Sequence, residues 1–162
     1  MSDYGRFMFG VGAVMEHRPT GRILIQQKKN KNAEGFNEGS WEMIYGRKNP
    51  IETIPDAITR EVREESGITD FKIKKALRIW HFFRGDHVME KEILGVTFWC
   101  QTDTDHIILS DEHQAHKWVT PEEALTYIEM AGLRYDIEMF MNERDNRNIA
   151  LTTPDESKIF TF

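Results

Sequence analysis

Glu61, Glu64 and Glu65 lie in a segment that otherwise has the apolar spacing of an amphipathic helix, and this placement is the first sign of chemistry in the chain. Advancing by about 100° per residue from Ile58, Ile54, Ile58 and Val62 fall within about 40° of one line and define a buried stripe. Glu65 and Glu61 land on that same side, about 20° and about 60° from Ile58, while Glu64 lies further round, near Ala57. By composition alone, the run Arg60 to Glu65 reads as a solvated charged face. The geometry argues otherwise. Half-buried carboxylates three and four residues apart repel one another, and desolvation on the order of several kcal/mol would go uncompensated without cations nearby. Arg60 supplies part of that compensation. A hard divalent cation with oxygen ligands would supply the rest, and magnesium is the usual choice where phosphate oxygens complete the coordination.

These glutamates need a framework to aim them. Thr53 reads as a helix N-cap, Pro55 and Asp56 as first-turn residues and Gly67 as a stop, which predicts a helix from Ile54 to Ser66. Before it, Phe7 to Met15 and Arg22 to Gln27 read as a β-hairpin around His17-Arg18-Pro19-Thr20-Gly21. Lys28 to Gly39 is polar and reads as a loop, and Trp41 to Tyr45 as a short strand ending at Gly46. After the helix, Phe71 to Arg84 and Glu92 to Gln101 are predicted strands flanking a Gly85-Asp86-His87 turn, and His116 to Val119 a last short one. Pro121 opens a helix to about Met130, Leu133 another to about Glu143, and residues 145–162 read as a tail.

Length and charge narrow the classes. With 162 residues, the chain is expected to close one core, a single domain over residues 1–162. A formal charge of −6 gives no electrostatic footprint for a nucleic acid polymer or an anionic membrane. An anionic substrate must therefore be held by a metal ion or a confined basic pocket. The single Cys100 cannot form an internal disulfide, no run approaches the roughly 20 apolar residues of a membrane span, and no signal peptide is visible, so a cytoplasmic location is expected. His113 and His116 lack a third ligand at a spacing that suits zinc.

Gly46, Glu52, Arg60-Glu61-Val62, Glu64-Glu65 and Gly67-Ile68 resemble the Nudix box, G-x(5)-E-x(7)-R-E-U-x-E-E-x-G-U with U aliphatic, and every spacing is met. Such a match arises by chance at on the order of one in a billion start positions. The resemblance extends to the Arg22 to Gln27 strand, to Trp41, and to the stretch from Leu109 through Trp118-Val119 to Ala124. One departure is Ile44-Tyr45-Gly46, where many relatives have Pro-Gly-Gly; it leaves the subfamily open.

The resemblance implies an α/β (α+β) fold, a Nudix-type α/β/α sandwich with a mixed β-sheet and a loop–helix–loop catalytic motif. It implies a magnesium-dependent pyrophosphohydrolase, with manganese as a substitute, that cleaves a diphosphate linkage in a nucleoside diphosphate joined to another group. The Gly46 carbonyl, Glu61, Glu64 and Glu65 would hold the metal, and Glu52 and Arg60 would support them. Glu112 is the candidate distant base and further metal ligand, with Glu61 or Glu64 as alternative bases. Nucleoside triphosphates rank ahead of dinucleoside polyphosphates such as diadenosine tetraphosphate and of ADP-sugars. A nucleotide-sensing module without catalysis is the alternative of another class, although such proteins usually lose box glutamates that this chain keeps. Lys28 is placed to steer a polyphosphate, and Trp41 and Phe36 to stack a base, though core packing explains the aromatics more often. A homodimer is expected from family habit.

Overall fold

The computed structural model describes residues 7–29 and 39–146. Phe36 and nearly all of the expected tail lie outside the described residues. The predicted hairpin forms: β1 (Met8–His17) and β2 (Arg22–Lys28) run antiparallel, with Glu16 opposite Ile23 and His17 opposite Arg22. Gly21, at φ 68°, takes the left-handed conformation that closes the turn.

The stretch expected as one strand at Trp41 is divided. Trp41–Glu42 (β3) pairs with β2, whereas Ile44–Arg47 (β4) pairs with β1, from Ala13 opposite Ile44 to Gly10 opposite Arg47. Changing partner at Met43 lets β1 share one edge between two neighbours, β2 at its end and β4 at its beginning. Its other edge carries β6 (Glu92–Thr102) in parallel, and β6 carries β5 (Lys72–Phe83) antiparallel. Together with β7 (His113–Val119), which pairs with β2, this makes a seven-stranded mixed sheet. The turn between β5 and β6 is longer than Gly85-Asp86-His87, with a 3-10 turn at Met89–Lys91. β7 begins three residues earlier than expected, because an irregularity between Gln27 and Lys28 brings Lys28 opposite His113.

Helix α1 spans Ile54–Ser66 as predicted, with the Thr53 hydroxyl accepting from the Asp56 N–H and Gly67 ending it at φ 73°. Its Ala57, Ile58 and Val62 pack with Val11, Ala13 and Met15 of β1 and Val96 and Cys100 of β6. On the opposite face, Val14, Ile23 and Ile25 pack against α2 (Pro121–Tyr127) and α3 (Ala131–Asp145) through Ala124, Leu133, Ile137 and Phe140. α2 stops short of Met130 because Ile128 turns extended and is buried in that core. The strand alternation of β1 thus serves two cores, and the sheet lies between helices. Among the described residues, no helix is long and apolar enough to cross a membrane.

Candidate active site

The end of β4, the loop after it and the inner face of α1 form the candidate site. Arg60 is its organiser. Its guanidinium grips Glu52 through both oxygens, Nε to Oε1 at 2.8 Å and Nη2 to Oε2 at 3.0 Å. Nη2 also reaches the Arg47 carbonyl at 2.8 Å, and Nη1 the Glu61 and Glu64 carboxylates at 2.6 and 3.1 Å. Glu52 in turn accepts the Asn49 N–H at 2.9 Å, so the loop between β4 and α1 is tied to the helix it precedes. The Arg60 side chain and the Asn49 N–H hold the Glu52 carboxyl down at about 2, and three carboxylates push the arginine up.

The helical arithmetic separates the three glutamates as built. Glu61 and Glu65 are 8% and 6% exposed, whereas the Glu64 side chain is 53% exposed. Burial pushes Glu61 up, partly opposed by Arg60. Glu65 stands well above the usual carboxylate range, first from burial and then from the charges of Glu42, Glu61 and Glu112. Against this, the Tyr45 backbone N–H donates to the Glu65 carboxyl, while Glu65 Oε2 is buried without a hydrogen-bond partner. Gly46 faces Glu61 so closely that a Cβ would collide with the carboxyl group. Its lack of a side chain is what lets the strand end and the helix acid share one space.

Glu112, exposed in the turn before β7, contributes charge to both Glu61 and Glu65, so it belongs to the same neighbourhood. Lys28 does not stand alone: its Nζ is 3.2 Å from Glu42. Trp41 packs at the margin of the core against Tyr127, ring centroids 5.3 Å apart, with Lys117 Nζ 5.5 Å above the indole. Trp41 is thus half-buried, with its ring engaged in core-margin packing.

Sequence reasoning did not single out Glu42, and it weighed the His113 that binds it only as a zinc ligand beside His116. Glu42 interrupts an apolar strand and sits opposite another polar residue, Gln26, which was the signal available. Nor did it find the buried network behind Tyr45, where the phenol donates to Asp136, Thr97 Oγ1 donates to the same Asp136 oxygen at 2.8 Å, and Arg78 Nε bonds the other at 2.5 Å.

Among the described residues, no three His, Cys, Asp or Glu side chains are already gathered as a metal cage. The groups present nevertheless fit a hard divalent cation. They are carboxylate oxygens, one of them buried and unbonded, and the two inner acids are held in a setting that disfavours their charge. With Arg60 engaging Glu61 and Glu64, the protein offers part of a coordination sphere, and phosphate and water oxygens would supply the remainder.

A NUDIX domain model matches residues 6–137, which include the whole acid-bearing loop and helix. The chain belongs to the Nudix family. It is 32% identical to a CTP pyrophosphohydrolase of Escherichia coli over 117 residues, covering 72% of this chain and 78% of that protein. It is 31% identical over 112 residues to the nucleoside triphosphatase NudI of Salmonella typhimurium, covering 65% and 77%. Among solved structures, a MutT protein from Methanosarcina mazei superposes with a TM-score of 0.70 at 26% identity, covering 91% of this chain and all of that one. An Ap4A hydrolase of C. elegans superposes with a TM-score of 0.67 at 19% identity, covering 86% and 99%, and shares the fold. The expected Nudix fold and hydrolase class are thus what the family match, the relatives and the mixed sheet between helices give.

Proposed function

We propose that this Nudix hydrolase is a magnesium-dependent nucleoside triphosphate pyrophosphohydrolase, in which Glu61, Glu64, Glu65 and the Gly46 carbonyl hold the cation. The observation that carries the reading is the pair of buried carboxylates, Glu61 set against the bare backbone at Gly46 and Glu65 with one oxygen unbonded. Its substrate class is supported by the activities for which the two similar proteins are named, a CTP pyrophosphohydrolase and a nucleoside triphosphatase.

When bound, magnesium neutralises the diphosphate oxygens and makes a coordinated water more acidic. The chain's own residues have three tasks. Arg60 orients Glu61 and Glu64 through charge-assisted hydrogen bonds, and Glu52 keeps Arg60 in place. Glu112 accepts at a carboxylate oxygen the proton released as water adds to phosphorus, and the leaving phosphate oxygen takes up the charge. Glu61 and Glu64 remain alternative bases, the first because burial raises its proton affinity.

The test is a product assay with magnesium on nucleoside triphosphates, dinucleoside polyphosphates, ADP-ribose and nucleotide sugars, for the wild type and Glu65→Gln. The expected result is fastest turnover of a triphosphate, with pyrophosphate as product, and a large loss in the variant. A rate unaltered by the substitution would overturn the site, and preference for another class would overturn the substrate.

A further inference from the structure

Glu42 is 7% exposed and lies outside the Nudix box, yet both its oxygens are held. His113 Nε2 is 3.0 Å from Oε1, and Lys28 Nζ is 3.2 Å from Oε2. The His113 side chain is fully buried, and its Nδ1 lies 3.1 Å from Ser110 Oγ. The ring thus bridges the serine hydroxyl and the Glu42 carboxylate, with Nε2–H donating to Glu42. Lys28, 36% exposed in its side chain, brings a positive charge to the other Glu42 oxygen.

The surroundings bring this carboxylate close to the acids of the candidate site. Gln26, directly across the β2–β3 ladder, donates from Nε2 to the Glu65 carbonyl at 2.8 Å. Three residues beyond Glu42, the Tyr45 N–H reaches the Glu65 side chain, and Gly46 faces Glu61. The Ser110 N–H donates to the same Glu65 carbonyl at 3.3 Å while its hydroxyl meets the His113 that holds Glu42, so Glu42 is tied to the Glu65 segment, and its charge helps push the Glu65 carboxyl up. Glu65 Oε2 is buried and unbonded. Holding another carboxylate against such a group costs free energy in the protein alone, and a divalent cation reverses the sign.

We propose that Glu42 is a positioning residue of the cation site: fixed by His113 and Lys28, its carboxylate adds negative charge near Glu65 and so favours a cation there. This rests on the cation-binding reading of Glu65 above. It makes a prediction that a structural ion pair does not. Removing the Glu42 charge relieves repulsion in the metal-free protein and weakens the cation, whereas loss of a merely structural contact lowers stability and leaves the cation unaffected.

The experiment titrates Mn2+ alone, without nucleotide, into the full chain by electron paramagnetic resonance, with thermal unfolding in EDTA alongside. Glu42→Gln is expected to raise the Mn2+ dissociation constant by about 10-fold or more, with Tm in EDTA unchanged or higher. Lys28→Met, at a partly exposed side chain, leaves the Glu42 charge uncompensated and is expected to tighten Mn2+ binding. An unchanged dissociation constant in Glu42→Gln, a lower Tm in EDTA, or weaker Mn2+ binding in Lys28→Met overturns the proposal. Glu65→Gln separates the two readings. If it weakens Mn2+ binding and Glu42→Gln does not, the role of Glu42 alone fails; if neither does, the cation site itself is wrong.

Discussion

Gly46 and Glu61 occupy one space: a Cβ on Gly46 would fall within the Glu61 carboxyl group. The obstructed atoms are the far end of a flexible side chain, not backbone, so the fold can accommodate an alanine by turning Glu61 away. Turning it breaks the 2.6 Å contact with Arg60 and removes an inner acid from the site. Gly46→Ala is therefore expected to keep its urea midpoint near that of the wild type while activity and Mn2+ affinity fall by about 10- to 100-fold, the scale seen when metal-site geometry is disturbed. A large stability loss with normal activity per folded molecule would mean that Gly46 serves the strand and not the site.

Glu52 and Arg60 carry a pH signature. The folded carboxyl titrates at about 2 against an ordinary value of 4.5, so the stability that it contributes is fully present above 4.5. That contribution declines as pH falls between 4.5 and about 2, where the folded carboxyl also protonates. Glu52→Gln is expected to unfold more readily than the wild type at neutral pH, with the difference shrinking through that acid window. Parallel denaturant curves across the window check this, and a difference independent of pH would refer the effect to packing.

What the sequence disclosed was what local residues determine. Thr53, Pro55 and Gly67 are short-range signals, and α1 begins and ends where they place it. Its periodicity also separated Glu61 and Glu65 from Glu64, whose position further round matches its exposure. The break at Met43 was hidden because it depends on which strand lies alongside, and the start of β7 because it follows an irregularity in β2. Glu42 and His113 meet across 71 residues of chain, and Arg78 and Asp136 across 58, separations for which no spacing rule exists. The box could name the candidate acids; the contacts that fix Glu42 arise only in the folded chain.

Tyr45 links the two faces of the sheet, and this divides its roles. Its backbone N–H reaches Glu65 on the α1 side, while its phenol donates to Asp136 of α3. Burial, then the Asp136 charge, keeps that phenol protonated well above its ordinary value, so it remains a donor throughout the working range. Arg78 and Asp136 are themselves 5% and 0% exposed in their side chains, and breaking such a pair by removing one partner costs about 3–5 kcal/mol. Arg78→Met is expected in that range by urea unfolding, because it leaves Asp136 buried without its ion-pair partner. Tyr45→Phe deletes a hydroxyl and retains the peptide, and is expected to cost about 1 kcal/mol while Mn2+ binding stays near that of the wild type. Loss of Mn2+ binding in Tyr45→Phe would mean that the Asp136 network reaches through the sheet to Glu65, and that the two faces act as one unit.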